Sequence, residues 1–188
     1  MPGRVGRKVE ILFRLSPESV EELSKTGTDF SGYEAEGDLA FGCNGKWLGN
    51  LADPPAPPAD AKWFHRAFIW NFVWELAHGL EAVRQGKQTE IEVEGTPVRL
   101  VLKQEGDLVL LDERLVAPTS PRGARQLERF KPELVKVRVE RRALDEAVAR
   151  AIDQLLATLV ETSPRIIESG IARQLRAKKD RLFSNGVG

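Results

Sequence analysis

The sequence predicts an α+β fold: an antiparallel sheet, made of a meander of about three strands plus N-terminal and later strands, packed against a long aromatic-rich helix and a C-terminal helical pair. Three observations carry that expectation. Residues 61–86 read as one helix loaded with aromatics, residues 90–113 alternate apolar and polar positions between short turns, and residues 141–181 return to a helical period.

From the N-terminus, residues 8–15 (KVEILFRL) read as a strand. Ser16 then offers an N-cap and Pro17 an N1 proline, with Glu18, Glu21 and Glu22 in the early turns where the helix dipole favours acids. A short helix to about Lys25 is expected, stopped by Gly27. Residues 36–41 read as a second strand and residues 42–45 (GCNG) as a turn, since Asn44-Gly45 tolerates positive φ. Residues 50–60 carry four prolines and must run as an extended loop, because proline removes a backbone donor and fixes φ. Too few residues precede that loop for an independent domain, so one domain spanning residues 1–188 is expected.

Within residues 61–86, Ile69, Val73, Leu76, Leu80 and Val83 recur at alternating spacings of four and three, which draws one continuous stripe on a helix and makes them core. Trp63, Ala67, Trp70, Trp74 and Ala77 repeat that spacing on a neighbouring face, and one of Trp63, Trp70 and Trp74 is expected to be at least partly accessible to a partner or a second copy of the chain. Three strands follow at residues 90–94, 98–103 and 107–113, separated by turns short enough for an antiparallel meander. Residues 116–132 form a long polar connection. Residues 134–140 alternate again, with Val135, Val137 and Val139 on one face. An amphipathic helix over residues 141–161 and a Ser163-Pro164-capped helix over residues 164–181 complete the chain.

Composition excludes several classes. The 188 residues carry 30% charged and 41% hydrophobic side chains with zero formal net charge, which describes neither a disordered chain nor a general polyanion binder. The single cysteine, Cys43, allows no internal disulfide and fits a reducing compartment. Near the N-terminus Glu10 and Arg14 bracket only three apolar residues, too few for a signal-peptide core, and no run reaches membrane-spanning length. A cytoplasmic location is expected.

No catalytic residue, metal or cofactor is expected. Zinc needs three or four convergent ligands. His65 and His78 would lie about 140° apart and about 20 Å along the expected helix, too far to share an ion. Cys43 sits in a Gly-rich turn with no helix N-terminus or basic cluster to activate it, so it reads as a buried or incidental thiol. There is no nucleophile elbow and no P-loop. The GRVG stretch at residues 3–6 precedes a strand and is no phosphate cradle. The neighbouring carboxylates Asp112 and Glu113, or Glu36 and Asp38, are expected by chance among 28 acids.

Charge is segregated. Residues 15–60 hold nine acids and two bases, residues 121–142 eight bases and three acids, and residues 165–182 six bases and two acids. The leading expectation is a non-enzymatic protein-binding, inhibitory or accessory module, such as a bacterial antitoxin or immunity-type protein. Its partner surface would comprise Glu18, Glu21, Glu22, Glu34, Glu36 and Asp38 with Trp63, Trp70 and Trp74, meeting a basic protein or a second copy. The alternative is nucleic-acid binding through Arg122, Arg125, Arg129, Lys131, Arg138, Arg141 and Arg142, joined by Lys178 and Lys179. The acidic half and the lack of an RRM, KH or helix-turn-helix signature weigh against it. A third class is an enzyme or small-molecule binder whose polar site is scattered along the sequence.

Overall fold

The structure, a computed structural model, describes residues 7–48, 63–94, 96–116 and 132–183. Its strands divide between two antiparallel sheets of four strands each. β1 (Val9–Leu15) leads into α1 (Pro17–Thr26), whose cap is the expected one: the Ser19 backbone N–H donates to Ser16 Oγ at 3.1 Å, with Pro17 in the first turn. Gly27, at φ 59°, ends the helix as a conformation that costs glycine nothing. Buried Ser19 then ties α1 to the next strand, its hydroxyl donating to the Glu34 carbonyl and accepting from the Glu36 N–H at 2.8 Å.

β2 (Glu36–Cys43) pairs along its length with β1 and turns back into β3 (Lys46–Trp47). The strand extends two residues into the expected turn, because the tight loop needs only Asn44 and Gly45, both at positive φ. Trp47 lies over Gly42, where an added Cβ would come within 2.5 Å of its ring. That contact, with Ala40, Trp63 and Leu12, makes a small apolar cluster outside the main core.

The main correction to the sequence reading falls at residues 63–68. They do not open the aromatic helix. β4 (Phe64–Phe68) pairs with β2, and α2 (Ile69–Arg84) starts directly after it. Helical spacing placed Trp63 beside Trp70, but a strand turns its side chains every second residue, so Trp63 joins the Trp47 cluster instead. From Ile69 onward the expected stripe holds: Ile69, Val73, Leu76, Leu80 and Val83 are all buried. Gly86, at φ 75°, follows the helix.

The second sheet runs β5 (Thr89–Glu92), β6 (Val98–Glu105), β7 (Leu108–Leu115) and β8 (Val137–Glu140), each hydrogen-bonded to the next. The meander is as expected. β8 is shorter than residues 134–140 because Lys136 adopts φ 49°, which breaks the alternation. Val139 is consequently buried while Val135 is 49% exposed, so the three valines do not share a face.

α3 (Arg141–Thr162) packs on β1, α2 and β8, and a 3-10 turn (Pro164–Glu168) leads to α4 (Gly170–Phe183). The second helix thus begins six residues after Pro164. α2 touches both sheets. Phe72 meets Phe41 of the first sheet edge-on, with centroids 6.1 Å apart, and Gly79 lets the helix approach Ile91 and Leu102 of the second. One core cluster extends across these elements.

Candidate functional site

The acidic segment proposed as a partner surface separates into three groups. Glu18, Glu21 and Glu22 on α1 are exposed, with Glu21 paired to Lys25 one turn away at 2.7 Å. Glu34 serves its own turn, accepting from the Ser31 N–H at 3.1 Å and hydroxyl at 2.9 Å. Glu36 and Asp38 are neutralised within the first sheet: Glu36 accepts from Arg66 Nε at 2.8 Å, and Asp38 pairs with Arg14 and with His65 Nδ1 at 2.8 Å. Burial opposes ionisation of Asp38, yet the hydrogen bonds and charges of His65 and Arg14 together prevail and hold its carboxyl below the usual carboxylate range. The Arg14 contact follows from cross-strand register, which places Arg14 opposite Asp38. A helical period over residues 61–86 gives no sign of these contacts, because it is strand β4 that sets His65 and Arg66 beside β2.

The tryptophans divide as well. Trp63 is 5% and Trp70 3% exposed, whereas Trp74 is half-buried. An aromatic series runs from Phe30, edge-on to Trp70 at 5.0 Å, through Trp70 stacked near-parallel with Trp74 at 6.4 Å, to His78 at 4.6 Å from Trp74. His78 Nδ1 lies 3.1 Å from the Trp74 carbonyl, and the buried Lys178 ammonium lies 5.9 Å from the Trp74 ring.

Trp74 also forms a wall of an open groove of about 650 Å³, lined by Tyr33, Asn71, Trp74, Glu75, Glu90, Glu92, Glu94 and Arg99. Tyr33 is 59% exposed and meets Phe68 edge-on at 5.6 Å. Asn71 donates to Glu94 at 2.6 Å, joining α2 to the turn after β5, and Arg99 pairs with Glu92 at 2.8 Å. Arg114 approaches Glu90 at 3.9 Å. Four carboxylates face one guanidinium in the groove lining, so the concavity carries negative potential between two aromatic side chains. The alternation Glu90, Ile91, Glu92, Val93, Glu94 was visible in the sequence. That α2 would bring Trp74 and Glu75 beside it was not, because those residues are about 15 positions away in the chain.

The basic alternative is only partly described. Arg122, Arg125, Arg129 and Lys131 lie outside the described residues. Arg138 pairs with Glu105 at 2.9 Å and Arg142 with Glu146 at 2.8 Å, while the Arg141 N–H donates to the Asp107 carbonyl. Lys178 and Lys179 are also engaged, with Glu81 and Asp153. A second groove of about 650 Å³ near Arg84, Arg141 and Phe183 mixes both signs of charge, and its Arg84 is paired with Asp145 at 2.8 Å.

Cys43 is buried, and that burial pushes its thiol pKa up against a partly compensating Lys46 charge. His65 sits on β4 and His78 on α2, both exposed. Among the described residues no three His, Cys, Asp or Glu side chains gather where a metal ion could be held. No described helix is long and apolar enough to cross a membrane. No family model matches the chain, and neither a curated protein nor a solved structure is found to be similar to it.

Proposed function

We propose that this chain is a non-enzymatic protein-binding module that receives a basic segment of another protein in the groove between α2 and β5. The observation that carries the proposal is the groove itself: Glu75, Glu90, Glu92 and Glu94 converge on a concavity walled by Trp74 and Tyr33. Carboxylates supply charge complementarity to lysine or arginine, and aromatic faces accept the apolar stems and cationic heads of the same side chains. The bacterial antitoxin or immunity type of protein fits this mode, since such an accessory works by covering a basic surface. Location in the cytoplasm is part of the same proposal and rests on the single buried cysteine.

The exposed acids of α1 have a second role in this scheme. Glu18, Glu21 and Glu22 add long-range attraction without belonging to the groove lining. Reversing Glu21 and Glu22 to Lys should slow association several-fold and leave the fold intact. E90Q/E92Q should instead speed dissociation, because it removes contacts made in the bound state.

The test is titration of a lysine- and arginine-rich peptide and, separately, of a single-stranded oligonucleotide, read by calorimetry at low and high salt. Peptide binding that weakens with salt and with E90Q/E92Q supports the groove. Oligonucleotide binding that strengthens in the Glu21 and Glu22 reversal would favour the nucleic-acid alternative. Peptide binding indifferent to salt and to both sets of variants would end the electrostatic proposal.

A further inference from the structure

We infer that the basic segment enters this groove as an extended strand that adds to the edge of β5 that no described strand occupies, with lysine or arginine at every second position; this rests on the function proposed above and specifies its partner's form. Among the described residues β5 pairs with β6 alone, so its other side presents backbone donors and acceptors without a neighbouring strand. An added strand satisfies them, and main-chain hydrogen bonds then supply affinity while alternate side chains supply selectivity.

The side chains of β5 and the residues after it are sorted for that role. Ile91 and Val93 are buried at 0% and 1%, whereas Glu90 and Glu92 are exposed and Glu94 continues the same two-residue period. The period spaces successive carboxylates by roughly 7 Å along the strand, the same repeat with which an added strand projects its own alternate side chains. Cross-strand neighbours on one face of a sheet lie about 5 Å apart, close enough for each cation to meet a carboxylate.

The protein already uses this arrangement on the occupied side of β5. Arg99 of β6 stands directly opposite Glu92 in register and pairs with it at 2.8 Å. A basic residue on the free side would repeat that geometry in mirror position. Trp74 and Tyr33 line the same groove, so their rings are available to the stems of the partner's long side chains. The opposite edge strand, β8, does not suit the same partner, because exposed Arg138 lies on it and Arg141 and Arg142 follow it directly.

The test compares four synthetic peptides: one alternating lysine with threonine, an isomer of equal charge with its lysines in one block, and two versions of the alternating peptide N-methylated at every second backbone amide, one in each frame. The alternating peptide is expected to bind at least about tenfold more tightly than the block isomer. N-methylation is expected to lose about tenfold in one frame and little in the other, since only one set of amides faces β5. Equal binding of the isomers, together with indifference to N-methylation in both frames, would overturn strand addition while leaving groove binding in place. Failure of every lysine peptide to bind at low salt would overturn groove binding as well.

Discussion

The ammonium of Lys178 on α4 meets the carboxylate of Glu81 on α2 at 2.5 Å, although Lys178 is only 4% exposed. A buried ammonium needs a counter-charge, so removing Glu81 leaves a desolvated cation. E81Q is expected to cost about 1–2 kcal/mol, less than a fully buried pair because water screens the half-exposed Glu81. The double variant K178M/E81Q should recover much of that loss, since it removes the stranded charge and keeps an apolar stem. Thermal unfolding of the three proteins measures both differences.

Acid should weaken the same contact. The hydrogen bond from Lys178 holds the Glu81 carboxyl below its ordinary range, with burial opposing and the charges of Lys178, Arg181 and His78 assisting. A carboxylate whose folded pKa is depressed contributes stability that is fully present above its unfolded value, near pH 4, and lost as pH falls through the folded value. Asp38 follows the same sign. The stability gap between wild type and E81Q or D38N is therefore expected to be largest at neutral pH and to close below about pH 4. A gap constant from pH 7 to pH 2 in urea titrations would contradict it.

Trp74 is expected to account for nearly all collisional quenching of tryptophan fluorescence, since Trp47, Trp63 and Trp70 are each 5% exposed or less. Replacing Trp74 with Phe should remove the fraction accessible to a neutral quencher such as acrylamide. Bound lysine peptide should protect that fraction in the wild type. Quenching unchanged in the Phe variant would place the accessible indole elsewhere.

Leu76 is 0% exposed within α2, and its truncation to Ala should cost about 2–5 kcal/mol, as for other buried leucines. Gly79 makes the complementary case. A Cβ there would lie 3.0 Å from Ile91 Cδ1 and 3.2 Å from Leu102 Cδ1, so G79V crowds the side chains on which the helix meets β5 and β6. About 1–3 kcal/mol of destabilisation is expected, and I91V in the G79V background should return part of it. Additive effects of the two substitutions in denaturant melts would argue against that contact.

The sequence disclosed elements wherever one period ran uninterrupted, as with the Ile69 to Val83 stripe and the meander. It failed where two periods meet without punctuation. Residues 63–68 precede α2 with no glycine or proline between, and aromatics suit strands as well as helices, so the strand was absorbed into the helix. The site was legible in half: the alternating acids of β5 could be read, but the identity of their neighbours depends on tertiary packing. Glu36 and Asp38 illustrate the reverse error. Their charge is plain in the sequence, yet its neutralisation by Arg66, His65 and Arg14 belongs to the sheet.

α3 packs against β1, a strand that leaves the N-terminus some 130 residues earlier. Closing so long a span carries an entropic penalty that the local hairpins of β5, β6 and β7 do not bear. The order of assembly is thereby biased: the meander can gather its contacts from neighbouring chain and α2 can reach β2 early, whereas β1 meets α3 only after residues 141–162 have been made. During synthesis on a ribosome, the side of β1 that α3 covers would stay open until that helix emerges, which makes it a stretch of apolar surface exposed for most of the chain's making.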